Sequence, residues 1–227
     1  PLSSSPFKRP GQVIIGFEHL AGVFSTSTTK TLTLNEPVGN GSGNFNGSGT
    51  SDLTSSTTRF SLFGLDGPGV FTAPKLSVDV VVTSGVTLGG SLYFYSTTTK
   101  TGGSVGGVDL KGEELTLSGY GINPRLGFAL GAKPIIWLRA GIALASASTP
   151  DTDPSDVSNT EVSTATTAVS LEAVLAVIVE DRGIGFGVGP SIYLPISNTL
   201  EVGGVEPTGA EFSVSSWMIS ASGYFAP

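Results

Sequence analysis

Hydrophobic residues recur at every second position over much of the chain. The clearest stretch begins at Lys75, after which Leu76, Val78 and Val80 alternate with small or polar residues. A tight Ser84-Gly85 turn follows, and the alternation resumes as far as Tyr95. A period of two residues indicates β-strands with one apolar face, so this region is expected to form a hairpin.

The same alternation returns over residues 12–23, 120–130, 136–144, 169–177 and 184–194, and with a less clear facing over 211–225. Leu171, Val174 and Ile178 also fit a helical spacing. The flanking Thr residues and the Gly-rich segment that follows favour a strand there. The pattern therefore predicts an all-β fold.

The connections between these segments alternate in length. Short connections at Ser84-Gly85, 131–134 and 180–183 alternate with long ones at 97–113, 149–161 and 195–210. Short turns at one rim and long loops at the other are typical of outer-membrane barrels. Counting back from the last segment predicts a closed antiparallel up-and-down transmembrane β-barrel of eight strands. It would be a single domain over 1–227, with a long outer loop at about 27–74.

That first loop leaves an alternative open. Residues 57–65 are a candidate extension of the second strand beyond the membrane. If they instead formed an additional pair of strands with 31–34, the barrel would have ten strands.

The charged residues inside the alternating segments all lie opposite the apolar face. A charge that faces lipid at the bilayer midplane costs roughly 2–4 kcal/mol, whereas a charge in the lumen can be paired. We expect a salt-bridged lumen network, with a proton or ion path as the alternative role. Small residues such as Gly185, Gly187 and Ser170 would leave room for it. The predicted network consists of Glu18, Asp79, Arg125, Arg139 and Glu172.

Composition narrows the function classes. Charged residues make up 13% of the chain, against about 25% in ordinary soluble proteins. The mean hydropathy is +0.24, yet no stretch approaches the ~18 apolar residues of a membrane-spanning helix. The absence of cysteine excludes disulfides and Cys-ligated metals, and a net charge of −7 argues against nucleic-acid binding. These features favour burial of one face of the strands in a membrane, and together with the loop pattern they make outer-membrane lipids the expected surroundings of the barrel.

Two segments carry a family resemblance. The strand that ends in Gly223-Tyr224-Phe225 resembles the terminal aromatic signal of outer-membrane barrels, although Ala226 and Pro227 follow it. The hairpin from Pro74 resembles their repeated strand–turn–strand unit. The chain thus resembles the small eight-stranded outer-membrane β-barrels, the group that includes the transmembrane domain of outer-membrane protein A. The resemblance implies the outer membrane of a Gram-negative bacterium, a mature chain after signal-peptide removal, and recognition by the barrel-assembly machinery through the strand ending at Phe225.

The sequence offers little catalytic chemistry. Its single histidine, His19, lies on the apolar parity of the first strand and is expected at the lipid interface, so we expect no enzyme activity. No cofactor or bound metal is expected either, since one histidine cannot form a His cluster. The candidates for interfacial aromatic belts are Trp137, Trp217, Tyr120 and Tyr224.

These observations predict a structural, anchoring or surface-interaction role, with the outer loops contacting a possible protein partner. A narrow channel or transporter for small solutes is the first alternative. A soluble or capsid-like β-sandwich is the second, because a sandwich also places its charges opposite the core face.

Overall fold

The computed structural model describes residues 6–34, 49–62, 71–100, 103–105, 108–110, 114–131, 133–149, 161–179, 182–202 and 210–227. A 3₁₀ helix, Pro6–Lys8, precedes the strands. The strands are β1 (Val13–Leu34), β2 (Gly49–Leu62), β3 (Lys75–Thr83), β4 (Val86–Lys100), β5 (Gly103–Val105), β6 (Val108–Leu110), β7 (Glu114–Gly131), β8 (Ile135–Thr149), β9 (Val162–Val179), β10 (Ile184–Val202) and β11 (Ala210–Phe225). No helix in these ranges is long and apolar enough to span a membrane.

The strands form a closed antiparallel ring. The order is β11-β10-β9-β8-β7-β4-β3-β1, and a further ladder between β11 and β1 closes the sheet on itself. β2 does not add a ninth position, because it pairs with Ala21–Leu34 of β1 while β3 pairs with Val13–Glu18. The predicted eight-stranded up-and-down barrel is confirmed, and the ten-stranded alternative is wrong. The strand expected over 169–177 is likewise confirmed, as part of β9.

Short turns join neighbouring strands at one end of the barrel. Gly85, Gly131 and Gly183 have φ of +81°, +86° and +63° in the turns after β3, β7 and β9. Glycine adopts this left-handed conformation without the Cβ penalty that other residues meet, which allows each chain reversal to be tight. We call this end of the ring the turn end and the opposite end the outer end.

The strands at the outer end are longer than the alternation predicts. The loop expected over 27–74 is wrong as a continuous loop, because β1 runs to Leu34 and β2 occupies Gly49–Leu62. Likewise β4 continues to Lys100, the hairpin β5–β6 follows it, and β10 continues to Val202. Of the loop expected over 149–161, residues 150–160 lie outside the described part of the chain.

The physical reason for this difference is that Ser and Thr predominate on both faces of the β1 and β4 extensions and of the first half of β2, so no continuous apolar alternation marks them. Their hydroxyls pair across the strands instead. Thr58 donates to Ser25 at 3.0 Å, and Ser56 donates to Ser27 at 3.2 Å. Cross-strand pairs of this kind stabilise a sheet without an apolar face.

The outside of the barrel is a continuous apolar band. Among the described residues, 32 large hydrophobic side chains are exposed, and they belong to the ring strands and β2. Across β11, β1 and β2 the band gives way to hydroxyl side chains at the outer end, since the row Ile219–Val23–Phe60 is followed by the row Trp217–Ser25–Thr58, in which only Trp217 is apolar. Among the four aromatic belt candidates, Trp217 and Tyr120 do face outward. For Trp137 and Tyr224 the expectation is wrong, because both side chains point into the lumen and are almost fully buried.

Candidate functional site

The inward parity of the strands brings the five predicted charged residues together in one layer across the lumen. Arg125 of β7 lies at its centre. Its guanidinium binds Glu18 of β1 through two bonds of 2.7 and 2.8 Å, and Asp79 of β3 through two bonds of 2.6 and 3.1 Å. One arginine thus satisfies two carboxylates, each by the bidentate geometry that suits a planar guanidinium.

Arg139 of β8 joins the same layer from the next strand. It donates to Glu18, and its Nη2 lies 2.6 Å from Glu172 Oε2. Its guanidinium carbon also lies 4.6 Å from the centre of the Trp137 ring, a cation–π contact. Arg125, Arg139 and the acids Glu18 and Glu172 therefore form one continuous ion-pair network, and their side chains are at most 2% exposed.

The layer contains a sixth charge that the sequence analysis missed. Lys75 is 2% exposed, and its Nζ lies 2.5 Å from Tyr193 Oη, which in turn donates to Glu172 Oε1 at 2.8 Å. The alternation does predict an inward Lys75, because this residue lies two and four positions before Ser77 and Asp79 and therefore shares their face of the strand. With Lys75 included, three basic side chains face three acidic ones, so the formal charges of the buried layer balance.

Aromatic and aliphatic side chains fill the lumen on the turn side of the charged layer. Phe7 of the 3₁₀ helix packs edge-on against Trp137, with ring centres 4.9 Å apart, and Trp137 meets Tyr224 at 5.6 Å. The backbone of Phe7 accepts a hydrogen bond from the amide of Gly85, which holds the helix at the mouth of the barrel. Lumen glycines make room for the rings, since a Cβ on Gly187 would meet both Tyr224 and Val174.

A second cluster fills the lumen on the outer side. Phe71, which precedes β3, is fully buried and stacks on Tyr193 with ring centres 4.9 Å apart and an interplanar angle of 6°. Tyr93 and Tyr95 of β4 lie over Gly121 and Gly119 of β7, where a Cβ would overlap the rings. The lumen therefore holds three successive layers: the cluster around Trp137 on the turn side, the charged layer in the middle, and the cluster around Tyr193 on the outer side.

His19 lies inside the barrel, so the lipid-interface position expected from its parity is wrong. Between Phe17 and Ala21, strand β1 bulges against β11, and His19 adopts a φ of +59°. This left-handed conformation turns the ring into the lumen, where it is 1% exposed and meets Phe24 and Tyr193 edge-on. The bulge gives β1 two more residues than β11, so the side chains after it point to the same faces as the alternation predicts. Alternation alone therefore cannot reveal it.

Neither ring nitrogen of His19 has a hydrogen-bond partner among the described residues. Across the described strands, no group of three His, Asp or Glu side chains could hold a metal ion. The fold and the lumen together define a class: a closed eight-stranded barrel with an apolar exterior and a filled, charge-balanced interior.

Comparison with known proteins gives a likeness at the level of structure. No protein-family model and no curated protein matches the chain. Among solved structures, it is similar to the outer membrane protease OmpT from Escherichia coli, with 12% sequence identity and a TM-score of 0.48 over 100% of this chain and 99% of that one. A similarity of this size carries no inference about the activity of this chain.

Proposed function

We propose that this chain is an integral β-barrel protein of a Gram-negative outer membrane, with a structural, anchoring or surface-interaction role. The observation that carries the proposal is the division of side chains between the two faces of the ring. The outside presents the apolar band, whereas the six charges of the central layer lie inside. In water this arrangement would expose an apolar surface far larger than the few hundred Å² typical of soluble monomers.

The soluble sandwich is the less favourable alternative on the same grounds. A sandwich buries its apolar faces between two sheets and shows its polar faces to water. Here the ring is closed, and the apolar residues Leu126, Leu171 and Phe186 are 41–69% exposed. Lipid tails are the partner that such a surface fits.

The filled lumen supports an anchor rather than a channel. A conducting pore needs a water-lined path, but Phe7 and Trp137 occupy the turn side, Arg125 bridges the middle, and Phe71 covers the outer side. The same enclosure of His19 supports a protein without catalytic activity. The strand ending at Phe225 would be the element read by the barrel-assembly machinery, and the outer loops remain candidates for contact with a protein partner.

Two measurements test the proposal. The first is whether the protein floats with lipid vesicles and shows heat-modifiable gel mobility, as a folded membrane barrel does. Solubility without detergent would contradict it. The second is conductance in planar bilayers, for which we expect no steady open current. A reproducible conductance would contradict the anchoring role and support the channel alternative.

A further inference from the structure

The wall formed by β7, β8, β9 and β10 carries a recess of about 420 Å³ at the outer edge of the apolar band. Cross-strand pairing places its lining in two rows. The row nearer the midplane is Ile122–Leu144–Thr167–Ser197, and the row above it is Tyr120–Ser146–Ala165–Thr199. The recess therefore spans the level at which the surface changes from aliphatic residues to hydroxyls.

The chemistry of the lining is polar but uncharged. Ser146, Thr167, Ser197 and Thr199 each offer a hydroxyl that both donates and accepts hydrogen bonds. None of the lining residues is charged, so a phosphate or carboxylate group would find no counter-ion there. A neutral group with many hydroxyls matches this surface better than an anion does.

Tyr120 and Ala165 give the recess its shape. The ring of Tyr120 forms one side and is 64% exposed, which leaves an aromatic face open for stacking. Ala165 is also exposed, and its short side chain leaves the middle of the upper row empty. An exposed aromatic face beside several hydroxyls suits a sugar ring, because the ring stacks through its C–H face and its hydroxyls bond to the neighbours.

The position of the recess indicates how the sugar would be attached. Ile122 and Leu144 form its lower edge, and they continue without a break into the lipid-facing band below. A sugar held there would lie directly above acyl chains that contact those strands. We propose that this recess binds the neutral sugar headgroup of a glycolipid in the surrounding outer leaflet. The inference rests on the proposed membrane location and adds a ligand class to it.

The test uses the full-length protein in vesicles of phosphatidylcholine that contain a minor fraction of digalactosyldiacylglycerol with matched acyl chains. Flotation first establishes that the protein is inserted, so a failure at that step overturns the proposed function and not this inference alone. Native mass spectrometry then compares the lipids retained by the protein with the bulk mixture. We expect the glycolipid to be enriched about tenfold, equivalent to ~1.4 kcal/mol.

Two substitutions make the test specific. Ala165→Phe fills the recess, so the glycolipid fraction among the retained lipids is expected to fall close to its fraction in the bulk vesicles. Tyr120→Ala removes the stacking face and is expected to reduce the enrichment. Ser56→Phe places the same ring on β2, at an exposed position on the other side of the barrel, and should leave the enrichment unchanged.

Three outcomes would overturn the inference in an inserted protein. One is a composition of the retained lipids that equals the composition of the vesicles. Another is an equal loss of enrichment in Ala165→Phe and Ser56→Phe, which would indicate nonspecific lipid contact. The third is displacement of the glycolipid by free lactose, which would indicate a site for soluble sugars.

Discussion

Arg125 is the residue on which the charged layer depends most, and its removal has a calculable consequence. Arg125→Met keeps most of the side-chain volume but deletes four hydrogen bonds, two to Glu18 and two to Asp79. Glu18 retains Arg139 and Ser77 as partners. The balance of three basic and three acidic groups becomes a net charge of −1. Breaking a buried ion pair by removing one partner costs about 3–5 kcal/mol, and we expect a loss of unfolding free energy in that range.

The assay is reversible denaturant unfolding of the barrel in lipid vesicles, followed by Trp137 fluorescence in a Trp217→Phe background. Trp137 is fully buried beside Arg139, so its emission reports directly on the lumen. Arg182→Met is the matched control, because Arg182 is exposed near the turn end and its loss should change stability by less than ~0.5 kcal/mol.

A double variant separates lost pairing from lost packing. Asp79→Asn combined with Arg125→Met restores the charge balance, and we expect it to be more stable than Arg125→Met alone. A loss below about 1 kcal/mol in Arg125→Met, or no recovery in the double variant, would refute the reasoning, because contacting partners must show such coupling.

Further predictions concern the two faces of the wall and the hydrogen bonds between layers. If the outward face of β9 meets lipid as proposed, Leu171→Arg should cost roughly 2–4 kcal/mol in the same unfolding assay, whereas Thr58→Arg above the band should cost roughly 0–1 kcal/mol. Equal effects of these two substitutions would contradict the assigned membrane level. Gly121→Val should prevent the heat-modifiable folded form because its Cβ overlaps the Tyr93 ring and the Leu144 carbonyl oxygen, and Tyr93→Ala, which removes only the first overlap, should restore part of it. Tyr193→Phe removes the hydroxyl between Lys75 and Glu172 and should cost about 1–3 kcal/mol. An unchanged unfolding midpoint would show that this link is unimportant.

Period-two alternation was sufficient to predict the ring, because the outward face of each strand is mostly apolar, whereas the inward face carries a mixture of small, charged and aromatic side chains. It also placed all five network residues on the inward face. The partners within the network could not be predicted, since they depend on which strands are neighbours across the lumen. Arg125 reaches Glu18 although 107 residues separate them in sequence.

The features that escaped prediction have identifiable causes. β2 was predicted only in part, as the candidate strand extension over residues 57–65, because Ser and Thr predominate in its first half and the strand there depends on pairing with β1. His19 was misplaced because a bulge inverts one side chain and leaves the parity of the following residues intact. Phe71 lies outside any strand, so no periodicity could show that its ring stacks inside the barrel on Tyr193.

The central claim is that the outward face meets lipid while the lumen excludes it, and the two tryptophans test this directly. Trp217 faces outward at the edge of the apolar band and is 47% exposed, whereas Trp137 is fully buried in the lumen. Single-tryptophan variants, Trp137→Phe and Trp217→Phe, would be reconstituted in vesicles of brominated phosphatidylcholine, whose bromines quench only fluorophores that contact the acyl chains. The account predicts strong quenching of Trp217 and little quenching of Trp137. Quenching of Trp137, or none of Trp217, would contradict it.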